Sequence, residues 1–211
     1  QTHPEQLAAV ARSTFLEELP DDKRARAQRE SEERVKQIHE IRAKPEVELT
    51  RGERRFLEHL PFSMRSSDSF SYHDRAQLAL TADFQGYFPA SPLREPFHAL
   101  LTHAPTVGRA LVRDLVNHAT TAWRQFHHHE RRGRTPIPLV LKFPWRRQEF
   151  WGAPIHYVWS RGHGGPKVLE CALMALEDWA FRQLKAGRPA DEVLEELLQG
   201  HTSIAVLGIA V

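Results

Sequence analysis

Arginine and tryptophan crowd one stretch of this chain, and they are the residues with the clearest chemistry to offer. Thr135–Lys167 reads TPIPLVLKFPWRRQEFWGAPIHYVWSRGHGGPK. Trp145, Arg146, Arg147 and Arg161, with Arg131, Arg132 and Arg134 just before the stretch, set guanidinium groups beside a stackable indole. That combination suits a phosphate backbone with unstacked bases. Lys167 follows Gly162, Gly164 and Gly165 at a helix start, where backbone N–H groups can face an anion. The order is not GxxxxGK[ST], however: Val168 stands where a hydroxyl is needed, and Pro166 removes a donor. The exit is therefore read as a structural Gly-rich turn and not as a P-loop. Arg131, Arg132, Arg134, Trp145, Arg146, Arg147, Arg161 and Lys167 are the candidate contacts for a partner or nucleic acid.

Other reactive groups lead to no catalytic, cofactor or metal assignment in this segment. The chain has 13 histidines, but His127, His128 and His129 are consecutive, so their rings fan around a helix instead of converging on one ion. Glu95 and His98 match Glu-x-x-His, yet a di-iron bundle needs a second copy and two further glutamates. His118 lies beside the apolar face of a long helix and reads as a core histidine. Cys171, the single cysteine, sits among Leu169, Ala172 and Ala175, where a thiol behaves as a small hydrophobe. Glu170, Glu177 and Asp178 read as the wet side of the same helix. No Gly-x-Ser-x-Gly or dinucleotide fingerprint occurs. A hydrolase would have to assemble its site from distant segments.

The elements that position these residues are mostly helices. Thr2-His3-Pro4-Glu5 has the spacing of a capping box, with Leu7, Val10, Ala11, Thr14 and Phe15 as the face behind it. Asp21–Lys44 is dense in both charges and can bury only a narrow stripe of Ala25, Val35, Ile38 and Ile41. Thr50 and Glu53 form another capping box before Phe56, Leu57 and Leu60. Ser63–Ser71 reads as a linker and Tyr72–Asp83 as a helix. Pro96–His103, Thr106–Glu130, Val168–Lys185 and Asp191–Gln199 complete the helices, with Thr202 and Ser203 capping a last apolar run. Leu111, Leu115, Ala119, Ala122 and Phe126 recur at three and four, the period of a buried helix face. Between them, Ile137, Leu139, Leu141 and Phe143 alternate, as do Ile155, Tyr157 and Trp159, which predicts strands joined by turns at Pro144-Trp145 and Gly152-Ala153-Pro154. The expected fold is mainly α: a helical array of antiparallel helix pairs with a small antiparallel β insert near 137–160. Its divisions are a charged helical segment over 1–60, a linker with a short helix over 61–95, and a helical domain over 96–211.

Composition bounds what such a chain can do. The 211 residues are 41% hydrophobic and 27% charged, ordinary for a globular protein and too apolar for wholesale disorder. Net charge is only +2, but nine of the 29 Lys and Arg, against two of the 27 Asp and Glu, fall between Arg124 and Lys167. One cysteine excludes an internal disulfide and a Cys-rich zinc site and fits a reducing cytoplasm. Ile204–Val211 is far shorter than the ~20 apolar residues a spanning helix needs, so it reads as the start of a buried helix and no membrane is expected. The chain opens on Gln1 instead of Met and stops inside that apolar run, which reads as an excerpt of a longer polypeptide.

Across 96–211, PFHALLTHAP, LVNHATTAW, FWG followed by Tyr-x-Trp, CALMALEDWAF and HTSIAVLGIAV resemble the helical region of very large bacterial ATP-binding proteins, some of them linked to phage defence. The resemblance implies a helical segment whose nucleotide binds a separate P-loop domain, so no functional residue carries over. The expected function is a non-catalytic helical scaffold or recognition segment, with other domains of the same polypeptide, a protein or nucleic acid as partners. The alternatives are a nucleic-acid-binding module using the basic aromatic insert, and a hydrolase with non-local site residues.

Overall fold

The structure, a computed structural model, describes residues 3–58, 78–81, 87–130, 136–162 and 164–210, with the backbone alone for Glu46, Glu58, His129 and Glu130. It is mainly helical with one two-stranded antiparallel sheet. The chain forms two compact units, Asp21–Tyr72 and the remainder, Gln1–Pro20 with His73–Val211.

The smaller unit is built on α2 (Pro20–Arg42), and α3 (Arg51–Glu58) follows a single turn over Glu46–Glu48. Pro20 opens α2 instead of closing the helix before it, because the first turn of a helix needs no proline N–H. Ile41 alone of the expected stripe is buried, and Val35 is exposed. A helix so charged stays solvated along most of its length, with bridges such as Arg26–Glu30 at 3.7 Å on its surface. At α3 the capping box forms as its spacing predicts. The Thr50 N–H donates to Glu53 Oε2 at 2.8 Å, and the Glu53 N–H to Thr50 Oγ1 at 3.3 Å. Arg34 lies over the Phe56 ring, 6.0 Å from its centroid. Leu60, the linker at 63–71 and most of the expected helix at 72–83 lie outside the described residues.

In the larger unit, α1 (Pro4–Phe15) buries Ala8, Ala11 and Phe15 against α5 (Pro105–Glu130). The face is turned from the expected one: Val10 and Thr14 are exposed, because 8, 11 and 15 recur at three and four around Ala8. Helix α1 follows His3 without a side-chain cap, and Thr2 lies outside the described residues. Leu78 is in 3-10 conformation, and Ala79–Thr81 are not helical. Leu80 bridges antiparallel to Leu16, and Ala79 takes a left-handed φ of 49° that interrupts any helix. The His118 Nε2–H donates to Glu17 O at 2.9 Å and Ala79 O at 3.0 Å, so this histidine pins the bridge to α5.

Helix α6 (Lys167–Lys185) is the hub: it packs against α4 (Phe97–His103), α5, α7 (Ala190–Leu198) and a 3-10 helix at Pro154–Arg161. Its apolar face, from Val168 through Cys171, Ala172, Ala175 and Leu176 to Trp179, is buried as the periodicity predicts. Strands β1 (Leu139–Lys142) and β2 (Arg147–Phe150) pair antiparallel, Leu139 with Phe150 and Lys142 with Arg147, through a turn at Pro144-Trp145. The expected strand at Ile155–Trp159 is instead that 3-10 helix. Pro154 starts it, Gly162 ends it at φ 73°, and His156, Trp159 and Ser160 are its buried side. Burial thus recurs at three and four, leaving Ile155 and Tyr157 outside. The apolar tail is likewise a short 3-10 helix, Ile204–Gly208, capped by Ser203 Oγ accepting the Ala205 N–H at 3.2 Å. Gly208 is required there: a Cβ would stand 2.2 Å from the Tyr157 carbonyl oxygen. No helix among the described residues is long and apolar enough to cross a membrane.

Two buried imidazoles give this unit an acid dependence. Burial, with His127 nearby, pushes His156 down from 6.5 to about 4. Burial, with Arg113 nearby, pushes His201 down from 6.5 to about 3. Between those values and 6.5 the unfolded chain binds protons that the folded chain refuses, so stability is lost as pH falls through that window and is unaffected above it. Each histidine contributes up to about 1.4 kcal/mol per pH unit. The urea midpoint is expected to hold from pH 8 to pH 7 and to drop steadily from pH 6.5 to pH 5, before most carboxylates titrate. A flat midpoint across pH 7 to 5 would count against two neutral buried imidazoles.

Candidate functional site

Alternation along the hairpin separates two faces. Leu141 and Phe150 turn inward with Gln148, whose Nε2 donates to Leu198 O at 2.9 Å and His201 O at 2.6 Å. Val140, Lys142, Arg147 and Glu149 are exposed and share the outer face, by the two-residue period of a strand. Trp151 continues that face, with the exposed Arg124 of α5 laid over its ring at 3.7 Å from guanidinium carbon to centroid. Lys142 and Arg147 stand directly opposite each other. Neither has a hydrogen bond or ion pair among the described residues, and Glu149 on the same face bridges to neither. Like charges in a directly opposed cross-strand pair are mildly destabilising.

The residues expected to form a basic tip are distributed differently. Arg146 is spent internally: its Nε donates to Gln148 Oε1 at 2.9 Å and its Nη2 to Leu198 O at 3.3 Å, satisfying a carbonyl at the end of α7. Trp145 is half-buried and stacks on Phe143 with centroids 5.1 Å apart and planes 6° from parallel. Arg161 pairs with Glu177 at 2.7 Å and reaches Gly208 O at 3.4 Å. Lys167 donates to Glu170 and, at 3.4 Å, to Gly162 O. Of the five candidates among the described residues, Arg147 is the one on the open face; Arg131, Arg132 and Arg134 lie outside the described residues. Arg124, Lys142 and Trp151 were missed in the sequence. Two-residue alternation could have placed Lys142 and Trp151 with Arg147, but nothing local places Arg124 there.

Glu170 is the second departure. Far from being wet, it is fully buried, accepting the Gly165 N–H at 2.9 Å on one oxygen and Lys167 on the other. The Gly-rich turn thus spends a donor on a carboxylate of its own helix, the structural role its sequence predicts. Cys171 is buried too; the Ser91 N–H donates to its sulfur at 3.5 Å, and burial raises the thiol pKa. Glu95 accepts the Ala99 N–H at 3.1 Å, acting at the start of α4 instead of ligating. His127 bonds Trp123 O at 2.9 Å through Nδ1. Among the described residues no three His, Cys, Asp or Glu side chains are grouped to hold a metal ion.

Glu170→Ala would strand a buried N–H and the Lys167 ammonium, which is expected to lower stability by about 3–5 kcal/mol. Lys167→Met with Glu170→Leu should recover much of that loss, since an apolar pair leaves no charge unpaired. Urea unfolding of the three proteins checks this. A single-variant cost below about 1 kcal/mol would mean that the pair does not hold the turn. No family model matches this chain, and no curated protein matches it significantly.

Proposed function

We propose that this chain is a non-catalytic scaffold and recognition segment of a larger bacterial multidomain protein of the cytoplasm, presenting the outer face of its β-hairpin to a partner. One observation carries the reading: Lys142 and Arg147 are set opposite each other on an exposed face, with no acid among the described residues paired to either. Other candidate polar groups among the described residues have internal work. Glu170 and Lys167 hold a turn, Arg146 caps α7, Arg161 ties Glu177 to the final 3-10 helix, and Cys171 is buried. On the resemblance of 96–211, any nucleotide chemistry belongs to a separate P-loop domain of the longer polypeptide.

A pair kept for a partner contributes nothing to the fold. Lys142→Gln with Arg147→Gln is therefore expected to leave thermal stability unchanged or raise it by a few tenths of a kcal/mol, about the size of a cross-strand charge term. A clear drop in the melting temperature would make the pair structural and sink the reading.

A second reading, single-stranded nucleic acid as the partner, is favoured by Arg124 over Trp151 on the same face. Three cations contacting phosphates predict that log affinity for (dT)20 falls against log salt with a slope of about −2, at ~0.7 per contact on a single strand. The double variant should bring that slope to about −0.7. Salt-independent binding, or a slope that the variant leaves unchanged, would reject it.

A further inference from the structure

The two edges of the hairpin are not equivalent. Phe143 donates its N–H to Arg146 O at 2.8 Å, which makes that pair a hydrogen-bonded one. Antiparallel pairs alternate between bonded and non-bonded, so the Lys142–Arg147 and Val140–Glu149 pairs are non-bonded and turn their backbone groups away from the partner strand. On the β2 side the next outward residue is Trp151, and its groups are taken: its N–H donates to Thr202 O at 2.7 Å and its carbonyl accepts the Ile204 N–H at 2.9 Å. The segment entering the last 3-10 helix thus closes the Trp151 end of that edge and blocks a strand added along its full length, although the outward groups of Arg147 and Glu149 have no partner among the described residues. On the β1 side the N–H and C=O of Val140 and of Lys142 have no partner among the described residues. Large apolar side chains flank this open edge, with Ile137 91% and Leu139 48% exposed.

We propose that the open edge of β1 takes up an extended peptide as an added strand, one that alternates apolar and acidic residues. This rests on reading the hairpin as a recognition face and names the partner for it. An added strand would make main-chain bonds to Val140 and Lys142, while its own side chains alternate between the two faces of the sheet. On the inner face they meet Leu139 and Leu141; on the outer face they meet Lys142, with Arg147 one strand further on. Charge complementarity sets the choice. A lysine within an edge strand guards it against uncharged or basic strands, and a carboxylate beside Lys142 removes that penalty. A second copy of this chain would bring Lys142 and Arg147 against their own equivalents, so the same charges disfavour edge-to-edge self-pairing.

The test uses the 211-residue chain and a fluorophore-labelled, acetylated and amidated (Val-Glu)3 peptide, read by fluorescence anisotropy, with (Val-Lys)3 and (dT)20 alongside. (Val-Glu)3 is expected to bind at least about ten-fold more tightly than (Val-Lys)3, in keeping with the cost of opposed like charges at an interface. Val140→Pro removes one outward donor without touching the ladder to β2, a position where an edge strand tolerates proline. It should weaken (Val-Glu)3 about ten-fold or more, the size of one lost interfacial hydrogen bond, with the melting temperature held. Lys142→Glu should invert the peptide preference, a result that does not depend on how the proline variant folds. Equal binding of the two peptides, wild-type affinity in Val140→Pro with no inversion in Lys142→Glu, or a dimer that Val140→Pro dissolves would each overturn the inference. Binding of (dT)20 alone, lost in Lys142→Gln with Arg147→Gln, overturns the added strand but keeps the hairpin as a recognition face. No binding of any probe to the wild-type chain overturns both.

Discussion

The carboxylate of Glu170, buried in the first turn of α6, is the constraint on which the larger unit turns. A buried carboxylate is tolerable only when its oxygens are bonded and its charge is met. Here one oxygen takes the Gly165 N–H and the other takes Lys167, the first residue of the same helix. That fixes the Gly-rich turn to the helix it enters. Gly165 in turn lies beneath Trp159, where a Cβ would come within 2.8 Å of the indole. Trp159 sits on the His156 ring at 4.3 Å, and His156 meets Trp123 of α5 edge-on at 5.1 Å. One acidic side chain thereby sets the path from α6 through the 3-10 helix to α5.

The hairpin depends on the same arrangement from the other side. Two short strands are marginal alone, and these are held by bonds to the end of α7 and to the stretch after it. Gln148 and Arg146 both donate to the carbonyl of Leu198, the last residue of α7, and Trp151 pairs with the 202–204 segment as a third strand would. The packing is therefore one-sided. Gln148 of the inner face and Arg146 of the turn have bonding tasks, and Lys142 and Arg147, with no partner among the described residues, are left on the outer face, beside the open edge of β1.

Sequence alone determined the helices and the part of the insert that turns at Pro144-Trp145. Those features rest on local physics: a three-to-four repeat of apolar residues, a Thr cap answered by a glutamate, and two-residue alternation. Thr50 and Glu53 could be read as a box because both partners lie within one turn. Tertiary structure decided what local pattern left open. Ile155, Tyr157 and Trp159 alternate like a strand, yet Pro154, Gly162 and the need to bury His156 against Trp123 and Ser160 beside Gly208 make them a 3-10 helix. Glu170 looks solvated by composition, yet the packing of α6 on its neighbours buries it, and the nearby Gly165 N–H and Lys167 supply the donors that make this tolerable. Which cations remain open was decided by tertiary contacts: Arg146 and Arg161 find carbonyls and a carboxylate 16 to 52 residues away, whereas Arg147 and Lys142 find none among the described residues. A side chain's charge is written in the sequence, but whether that charge is spent within the fold or left for a partner depends on contacts between residues far apart in it.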